Sequence, residues 1–471
     1  MIVHKFGGTS VGNAARFATV ADIVSERHKA GAGSPLAGSV VVLSAMSGVT
    51  NQLLAGAWAA AEGRDSEYRR IKAELVDRHI KVIEALLTVS GERLELGGWI
   101  EDRLYELERL YRSIGVLGEL TARGRDHVAA FGEQLSVHIL AAALRERGVR
   151  SRALLATDLI VTDDTFGAAV PQMDRTREHL QSKVKPLVDQ GMVPVITGFI
   201  GATEHGVTTT LGRGGSDYTA AVVGAGLDAH EVWIWSDVNG ILTADPNLVP
   251  EARTLRELSY TEASDLAYYG ADVLHPKTIR PVIEHGIPLR ILNSFDPADP
   301  GTLIVKSPSP DRQPLPAIIS TTGLSLIAVG SVDDSWSLPV VARALQALSE
   351  AGIDVLMFSQ SFSEHNLNLI VRRQDQQRCL KTLRSTFAAG LDGGAIALGA
   401  KEQVATVSVV GVPGWNGKGV VAHAFSALGA QGTRVIAVAQ AATEHSVSFC
   451  IPEEQVGDTV RYLHRDLGLA T

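Results

Sequence analysis

A lysine, two adjacent glycines and two hydroxyls crowd together where Met1-Ile-Val-His-Lys5-Phe-Gly7-Gly8-Thr9-Ser10-Val-Gly12 leaves an apolar stretch. Glycine lets backbone N–H groups approach an anion closely, and the lysine ammonium adds a point charge suited to phosphoryl oxygens. The chemistry this points to is phosphate binding; the same residues also fit an ordinary strand-to-helix turn. A second polar cluster, Thr208-Thr-Thr210-Leu-Gly212-Arg213-Gly214-Gly215-Ser216-Asp217-Tyr218-Thr219, precedes the apolar segment Ala220 to Leu227. Its glycines, hydroxyls and Asp217 then lie near a helix N-terminus, an end that favours anions. Arg213 in that setting can grip a carboxylate bidentately. Ser216 or Asp217 could equally be a helix cap, but a cap does not account for the arginine and its flanking glycines.

The elements that must position these groups read as strands and helices of an α/β protein. Val40, Val41, Val42 and Leu43 run into Ser44-Ala-Met-Ser47-Gly48-Val-Thr50-Asn51, which repeats the logic of the first strand and turn. Strands buried on both faces of a parallel sheet read as continuous apolar runs, and open α/β sheets bind ligands at their carboxyl ends. The two turns could therefore share one crevice. From Ser66 to Gly148 the spacing of Ile71, Leu75, Ile80, Ile83 and Leu87, then Leu104, Leu107, Leu110, Ile114 and Leu117, predicts a mostly helical subdomain. Within it Glu133 either faces the crevice or is a solvated helical carboxylate. Strands resume at Val193 to Gly201 and at Val232 to Asp237. The common nucleotide signatures fail: there is no G-x-x-x-x-G-K-[ST], and the G-x-G-x-x-G starting at Gly212 meets Asp217 where its last glycine belongs.

With 471 residues, 45% of them hydrophobic and 20% charged, the chain predicts a globular protein of two or three domains. A net charge of -9 without a basic run argues against nucleic acid or an anionic membrane as partner. Cys379 and Cys450 lack metal-ligand spacing and suit a reducing compartment as small buried hydrophobes. No basic, apolar, cleavable leader opens the sequence and no long apolar span interrupts it, so the expected location is the cytoplasm. Proline-rich sequence from Asp296 to Pro316 marks a domain boundary. Beyond it Gln360-Ser-Phe-Ser-Glu364-His365-Asn366-Leu-Asn368 aligns with Gln440-Ala-Ala-Thr-Glu444-His445-Ser446-Val-Ser448 at an offset of eighty residues. Two copies of one small α+β unit are implied, whose Glu-His turns could hold a small ligand or simply duplicate a packing solution.

Taken in order, Lys5-Phe-Gly-Gly-Thr-Ser10, Thr208 to Tyr218, Gly240-Ile-Leu-Thr-Ala-Asp245-Pro246 and Gly270-Ala-Asp272-Val-Leu-His275-Pro276, with the repeat behind them, resemble the aspartate kinases. These are amino-acid kinases carrying two C-terminal ACT domains, and the resemblance covers essentially the whole chain. It implies a three-layer sandwich around a mainly parallel sheet, followed by two α+β ACT domains. The divisions it implies are a catalytic domain over 1–300 with its helical subdomain near 66–148, a linker and leading strand over 301–317, and ACT domains over 318–396 and 400–471. The implied reaction is ATP- and Mg²⁺-dependent phosphorylation of the β-carboxylate of L-aspartate, the entry step towards lysine, threonine and methionine. Phosphoryl transfer needs positioning and charge neutralisation more than covalent help. No general base is needed, because a carboxylate of reference pKa about 4 is already ionised at neutral pH.

The resemblance also assigns roles. Lys5, Gly8 and Asp217 would be catalytic, with Asp217 orienting Lys5. Ser44, Thr50, Glu133, Phe199, Arg213 and Ser216 would hold aspartate, Arg213 on a carboxylate and Glu133 on the ammonium. Lys5, Gly7, Gly8, Ser10, Ser236, Asp237, Ile241, Asp245 and Asp272 would hold the nucleotide, and no protein metal-ligand set is implied. Gln360, Glu364, His365, Asn366, Gln440 and Glu444 would take an effector, lysine or threonine, and the ACT domains would pair chains into a homodimer or homotetramer. Asn247 and Asp272 stand where the family has basic residues, so positive charge is missing beside the triphosphate; each lost charge-assisted contact costs on the order of 1.5 to 3 kcal/mol. Weak ATP affinity, a shifted metal requirement, or compensation by Lys277 or Arg280 would follow. Ser446 replaces the asparagine of the first repeat, which would alter one effector turn. A kinase of another amino acid or carboxylate and a non-catalytic amino-acid sensor are the competing readings.

Overall fold

The computed structural model describes residues 1–31, 38–268, 276–312, 315–331, 338–361, 365–411, 420–440 and 446–470. The chain divides into two units, one made of Met1–Ile241, Arg256–Ser264 and Asp272–Pro310, the other of Leu242–Leu255, Asp265–Ala271 and Asp311–Thr471.

The first unit is built on an eight-stranded sheet. Its order is Ser151–Leu154, Val193–Thr197, Ser39–Leu43, Ile2–Phe6, Glu231–Ser236, Leu289–Asn293, Thr302–Val305 and Glu257–Ser259. The first six strands are mutually parallel, and the turn to antiparallel comes only between Leu289–Asn293 and Thr302–Val305. Ser39–Leu43 is buried at every position, as its unbroken Val-Val-Val-Leu run requires of a strand covered on both faces. In register, Phe6 lies beside Leu43 and Trp235, and the Phe6 and Trp235 rings stack at 5.5 Å. Six strand ends, after Leu154, Thr197, Leu43, Phe6, Ser236 and Asn293, thus open on the same edge of the sheet.

The stretch read as helical from the spacing of its leucines and isoleucines contains the helices Asp65–Leu86, Ser90–Leu117, Ala122–Ala129 and Phe131–Glu146. Their apolar faces join the strand side chains in one core that includes Leu75, Ile83, Ile100, Leu104, Leu107, Tyr111 and Leu140. Burying each such side chain is worth about 1.5–3 kcal/mol. A small three-stranded sheet, Val161–Thr162, Ile200–Thr203 and Thr208–Thr210, carries the chain into the helix Gly215–Gly226.

In the second unit six antiparallel strands form one sheet around two long central strands, Ala317–Ser331 and Ile396–Val410. The eighty-residue repeat is visible in the elements. Leu338–Glu350, Met357–Ser361, Asn366–Arg372 and Gln376–Thr386 are answered by Val420–Ala430, Ala437–Gln440, Ser446–Pro452 and Val456–Asp466. Each copy packs its helices on the sheet through its own apolar core, and both cysteines are buried and unpaired. Ala244 and Val249 of the segment Leu242–Leu255 belong to the core of the second copy. There Thr243 meets His464 across 3.0 Å, and the Thr243 carbonyl accepts the Ile318 amide at 2.8 Å.

Candidate active site

The strand ends of the first unit's sheet frame a cleft of about 390 Å³. Lys5 is the penultimate residue of its strand, and its side chain reaches Asp217 in the first turn of the helix Gly215–Gly226, Nζ to Oδ1 2.6 Å. Both side chains are largely covered, at 12% and 16% exposure, so the pair sits where charge is poorly screened by water. Gly8 follows at a backbone crossing: a Cβ there would lie 2.9 Å from the Ala45 carbonyl oxygen. The peptide of Gly8 in turn accepts the Ser47 amide at 3.1 Å. The glycine turn and the Ser44–Gly48 turn, with Thr50 at the start of the helix Val49–Ala61, are therefore neighbours and line the cleft.

The second polar cluster closes the other wall. Gly214 has φ 67°, a left-handed conformation that glycine adopts without strain, and starts the helix bearing Ser216 and Asp217. The Ser44 hydroxyl donates to Ser216 Oγ at 2.9 Å, joining the two walls. Phe199 has φ 68°, a conformation that costs a non-glycine residue about 1–2 kcal/mol. Its amide donates to Thr219 Oγ1 at 3.0 Å and its carbonyl accepts from Leu211 at 2.9 Å, which holds the strained backbone against the cleft.

Glu133 enters from the helix Phe131–Glu146 and is 3% exposed. Its Oε1 accepts the Ala45 amide at 3.1 Å, while Oε2 is buried with no hydrogen-bond partner among the described residues. Burial pushes this carboxyl up to about 8, and the Ala45 hydrogen bond offsets only part of that. A buried acid with one unused oxygen on a cleft wall is suited to receiving a cation.

Lys5, Gly7, Gly8, Ser44, Thr50, Glu133, Phe199, Ser216 and Asp217 are thus gathered in one cleft. Arg213 is exposed between Gly212 and Gly214, which do line the cleft. Ser10 is buried, its hydroxyl 2.8 Å from that of Ser294, which also donates to the Ser236 carbonyl at 3.0 Å. It ties the glycine turn to a neighbouring strand end. Ser236 donates to Asp237 at 3.2 Å just beyond that strand, and the Ile241 amide donates to Thr302 Oγ1 at 2.8 Å. Asp245 is exposed in the second unit, where its carboxylate accepts both the backbone and side-chain amides of Asn247, at 2.9 and 3.0 Å. Arg280 pairs with Glu284 at 2.8 Å on an exposed helix face.

Of the effector residues, His365 adopts φ 48° beside Asn366, and its carbonyl accepts the Ser331 amide at 2.9 Å. Gln360 is half-buried with its Nε2 unpartnered among the described residues, and Gln440 is exposed. Asp272, His275, Glu364, Glu444 and His445 lie outside the described residues, and so does the side chain of Lys277. Sequence reasoning missed Ser294 and also Asp126, a buried carboxylate that accepts the Gly167 and Thr210 amides, each at 2.8 Å, and so holds the strand leading to Arg213. Ser294 stands in no pattern of glycines or charges, and the charged run Arg123-Gly124-Arg125-Asp126 reads as a solvated face.

A mainly parallel sheet with its cleft at the carboxyl edge is the class that the amino acid kinase family model matches, over residues 1–293; the ACT domain model matches 338–387 and 407–467. Aspartokinase 1, chloroplastic, of Arabidopsis thaliana is 32% identical over 472 residues, covering 98% of this chain and 79% of its own. The bifunctional aspartokinase/homoserine dehydrogenase 2, chloroplastic, of the same plant is 31% identical, covering 98% of this chain and 50% of its own. The chain spans about half the length of such bifunctional relatives. Among solved structures, E. coli aspartokinase III in complex with aspartate and ADP is 29% identical with a TM-score of 0.81, covering 99% of this chain and 100% of that one. The same enzyme in complex with lysine and aspartate is 28% identical with a TM-score of 0.79, covering 99% of both chains. The chain belongs to the amino acid kinase family and, within it, to the aspartokinases. Among the described residues no helix is long and apolar enough to cross a membrane.

Proposed function

We propose that this chain transfers the γ-phosphoryl group of ATP to the β-carboxylate of L-aspartate, giving 4-phospho-L-aspartate and ADP. The observation that carries the reading is the Lys5–Asp217 pair at 2.6 Å, sharing one cleft with the glycine turn and with the unused oxygen of buried Glu133. The aspartate- and ADP-bound state of its E. coli relative supports it.

In this reading Glu133 takes the substrate ammonium, and Ser44, Thr50, Phe199 and Ser216 shape the pocket around its carbon chain. Arg213, free to swing on its glycines, closes on a substrate carboxylate. Lys5 and the amides of the Gly7-Gly8 turn face the phosphoryl oxygens, where charge is spread in the transition state, and Asp217 fixes the Lys5 ammonium in place. An oxygen of the β-carboxylate attacks the γ-phosphorus as the bond to the β-phosphate oxygen breaks, and no proton needs to move. Mg²⁺ would be carried mainly on the phosphates of the nucleotide, as is usual for this ion, with Asp217 engaged by Lys5. There it would supply charge neutralisation for the transferring phosphoryl group. Ser236 and Asp237, beyond the neighbouring strand end, would meet the nucleoside side.

The repeat turns around Gln360, His365, Asn366 and Gln440 would bind an inhibitory amino acid, lysine before threonine given the lysine complex of the E. coli relative. The ACT domains would pair two chains, and the buried unpaired cysteines fit a reducing compartment such as the cytoplasm. Purified protein given ATP, Mg²⁺, L-aspartate and hydroxylamine tests the reading. Aspartyl hydroxamate should accumulate, and its absence while aspartate still binds would overturn it.

A further inference from the structure

The two turns that form one wall of the cleft are tied together by a residue outside it. Arg78 lies on the helix Asp65–Leu86, beside fully buried His79. Its Nη2 donates to the Gly12 carbonyl at 3.1 Å and to the Ser47 carbonyl at 2.9 Å. Gly12 ends the glycine turn that begins at Gly7, and Ser47 lies in the turn Ser44 to Gly48 that leads into the helix Val49–Ala61. With the Ser47 amide on the Gly8 carbonyl at 3.1 Å, the three groups close a ring: Gly8 to Ser47, Ser47 to Arg78, Arg78 to Gly12.

Arg78 forms no ion pair with a carboxylate among the described residues, and partial burial lowers its guanidinium pKa from the ordinary value. A half-buried cation without an anion is costly unless its hydrogens are used, and here two of them bridge two carbonyls from separate turns. That geometry does little for the helix that carries it. Its effect falls on the turns.

We propose that Arg78 is a positioning residue that sets the placement of the phosphoryl-side turn, Gly7 to Ser10, against the acceptor-side turn, Ser44 to Gly48. The inference rests on the aspartate kinase reading. Each turn on its own can still meet its ligand without Arg78. The step that needs both ligands in line cannot tolerate a shift between them, since a misplacement of about 1 Å costs on the order of a hundredfold in rate.

The test compares wild type with Arg78→Met and Arg78→Lys for kcat, for KM of ATP and of aspartate, for unfolding midpoint, and for amide hydrogen exchange. Arg78→Met should lower kcat by about 10- to 100-fold with both KM values within about threefold. Arg78→Lys, which keeps a cationic donor of similar reach, should recover part of that loss. Exchange should quicken together in Gly7 to Gly12 and Ser44 to Gly48 and not elsewhere in the sheet. A kcat within twofold of wild type, or unchanged protection in both turns, would overturn the proposal. So would a fall in unfolding midpoint without any change in kcat. If Arg78→Met fails to fold, Arg78→Lys carries the same comparison. If wild type itself makes no acyl phosphate, the proposed reaction fails, and the exchange measurement alone still decides whether Arg78 holds the two turns.

Discussion

Aspartate binding should release a proton from Glu133. In the ligand-free protein burial holds this carboxyl at about 8, so at pH 7 about nine-tenths of the molecules carry it protonated. An ammonium placed against its free Oε2 favours the ionised form, and a full ion pair would therefore expel about 0.9 proton per aspartate at pH 7. The cost of ionising Glu133 first is about 1.4 kcal/mol at pH 7, one pH unit below its pKa, and it vanishes above that pKa. Affinity should accordingly rise about fivefold from pH 7 to 8 and about ninefold from pH 6 to 7. Calorimetry in two buffers of different ionisation enthalpy reads the released proton directly as a difference in heat. Glu133→Gln should abolish that difference and weaken binding. Equal heats in both buffers, with affinity flat between pH 6 and 8, would refute the assignment of Glu133 to the ammonium.

Further outcomes follow from other contacts. Lys5→Met removes the cation at 2.6 Å from Asp217 and should lower kcat by about 10²–10³-fold in a hydroxamate assay while aspartate binding persists. Gly8→Ala drives a methyl to 2.9 Å from the Ala45 carbonyl, so steady-state kinetics should show lost turnover with the overall circular dichroism unchanged. His4 and His79 are fully buried and held down to about 3 and about 4 by desolvation, whereas in the unfolded chain they titrate near 6.5. The unfolded state alone takes up these protons as pH falls, so each should cost the first unit about 2 kcal/mol between pH 7 and 5, seen as a lower denaturation midpoint. His464→Ala removes the buried partner of the Thr243 hydroxyl and should destabilise the second unit by about 1–3 kcal/mol in denaturant titrations.

What the sequence made legible was chemistry concentrated in short runs. Lys5 with Gly7 and Gly8 follows an apolar strand, and Asp217 follows a glycine-rich turn, so each run names its own local structure. That the two meet at 2.6 Å depends on parallel strands far apart in the chain, which only the order of motifs hinted at. The helical stretch was legible because its leucines and isoleucines recur at helical spacing and fill one core. Ser10 shows what residue type leaves out. Its hydroxyl reads as a phosphate donor, and nothing near it in the sequence tells that Ser294, 284 residues away, meets it in a buried pair. Arg78 was invisible for the same reason: a single arginine on an amphipathic helix looks solvated until Gly12 and Ser47 are folded against it. Asp126 likewise acts through two backbone amides that no spacing announces.

The central claim is that phosphate moves onto one carboxyl group of one substrate. Phosphorus NMR of a reaction containing ATP, Mg²⁺ and aspartate labelled with carbon-13 at its β-carboxyl carbon tests it most directly. The account predicts a new acyl phosphate signal split by coupling to that carbon, absent from the Lys5→Met reaction. An acyl phosphate coupled instead to a labelled α-carboxyl carbon, or no acyl phosphate from a protein that binds aspartate, would contradict it.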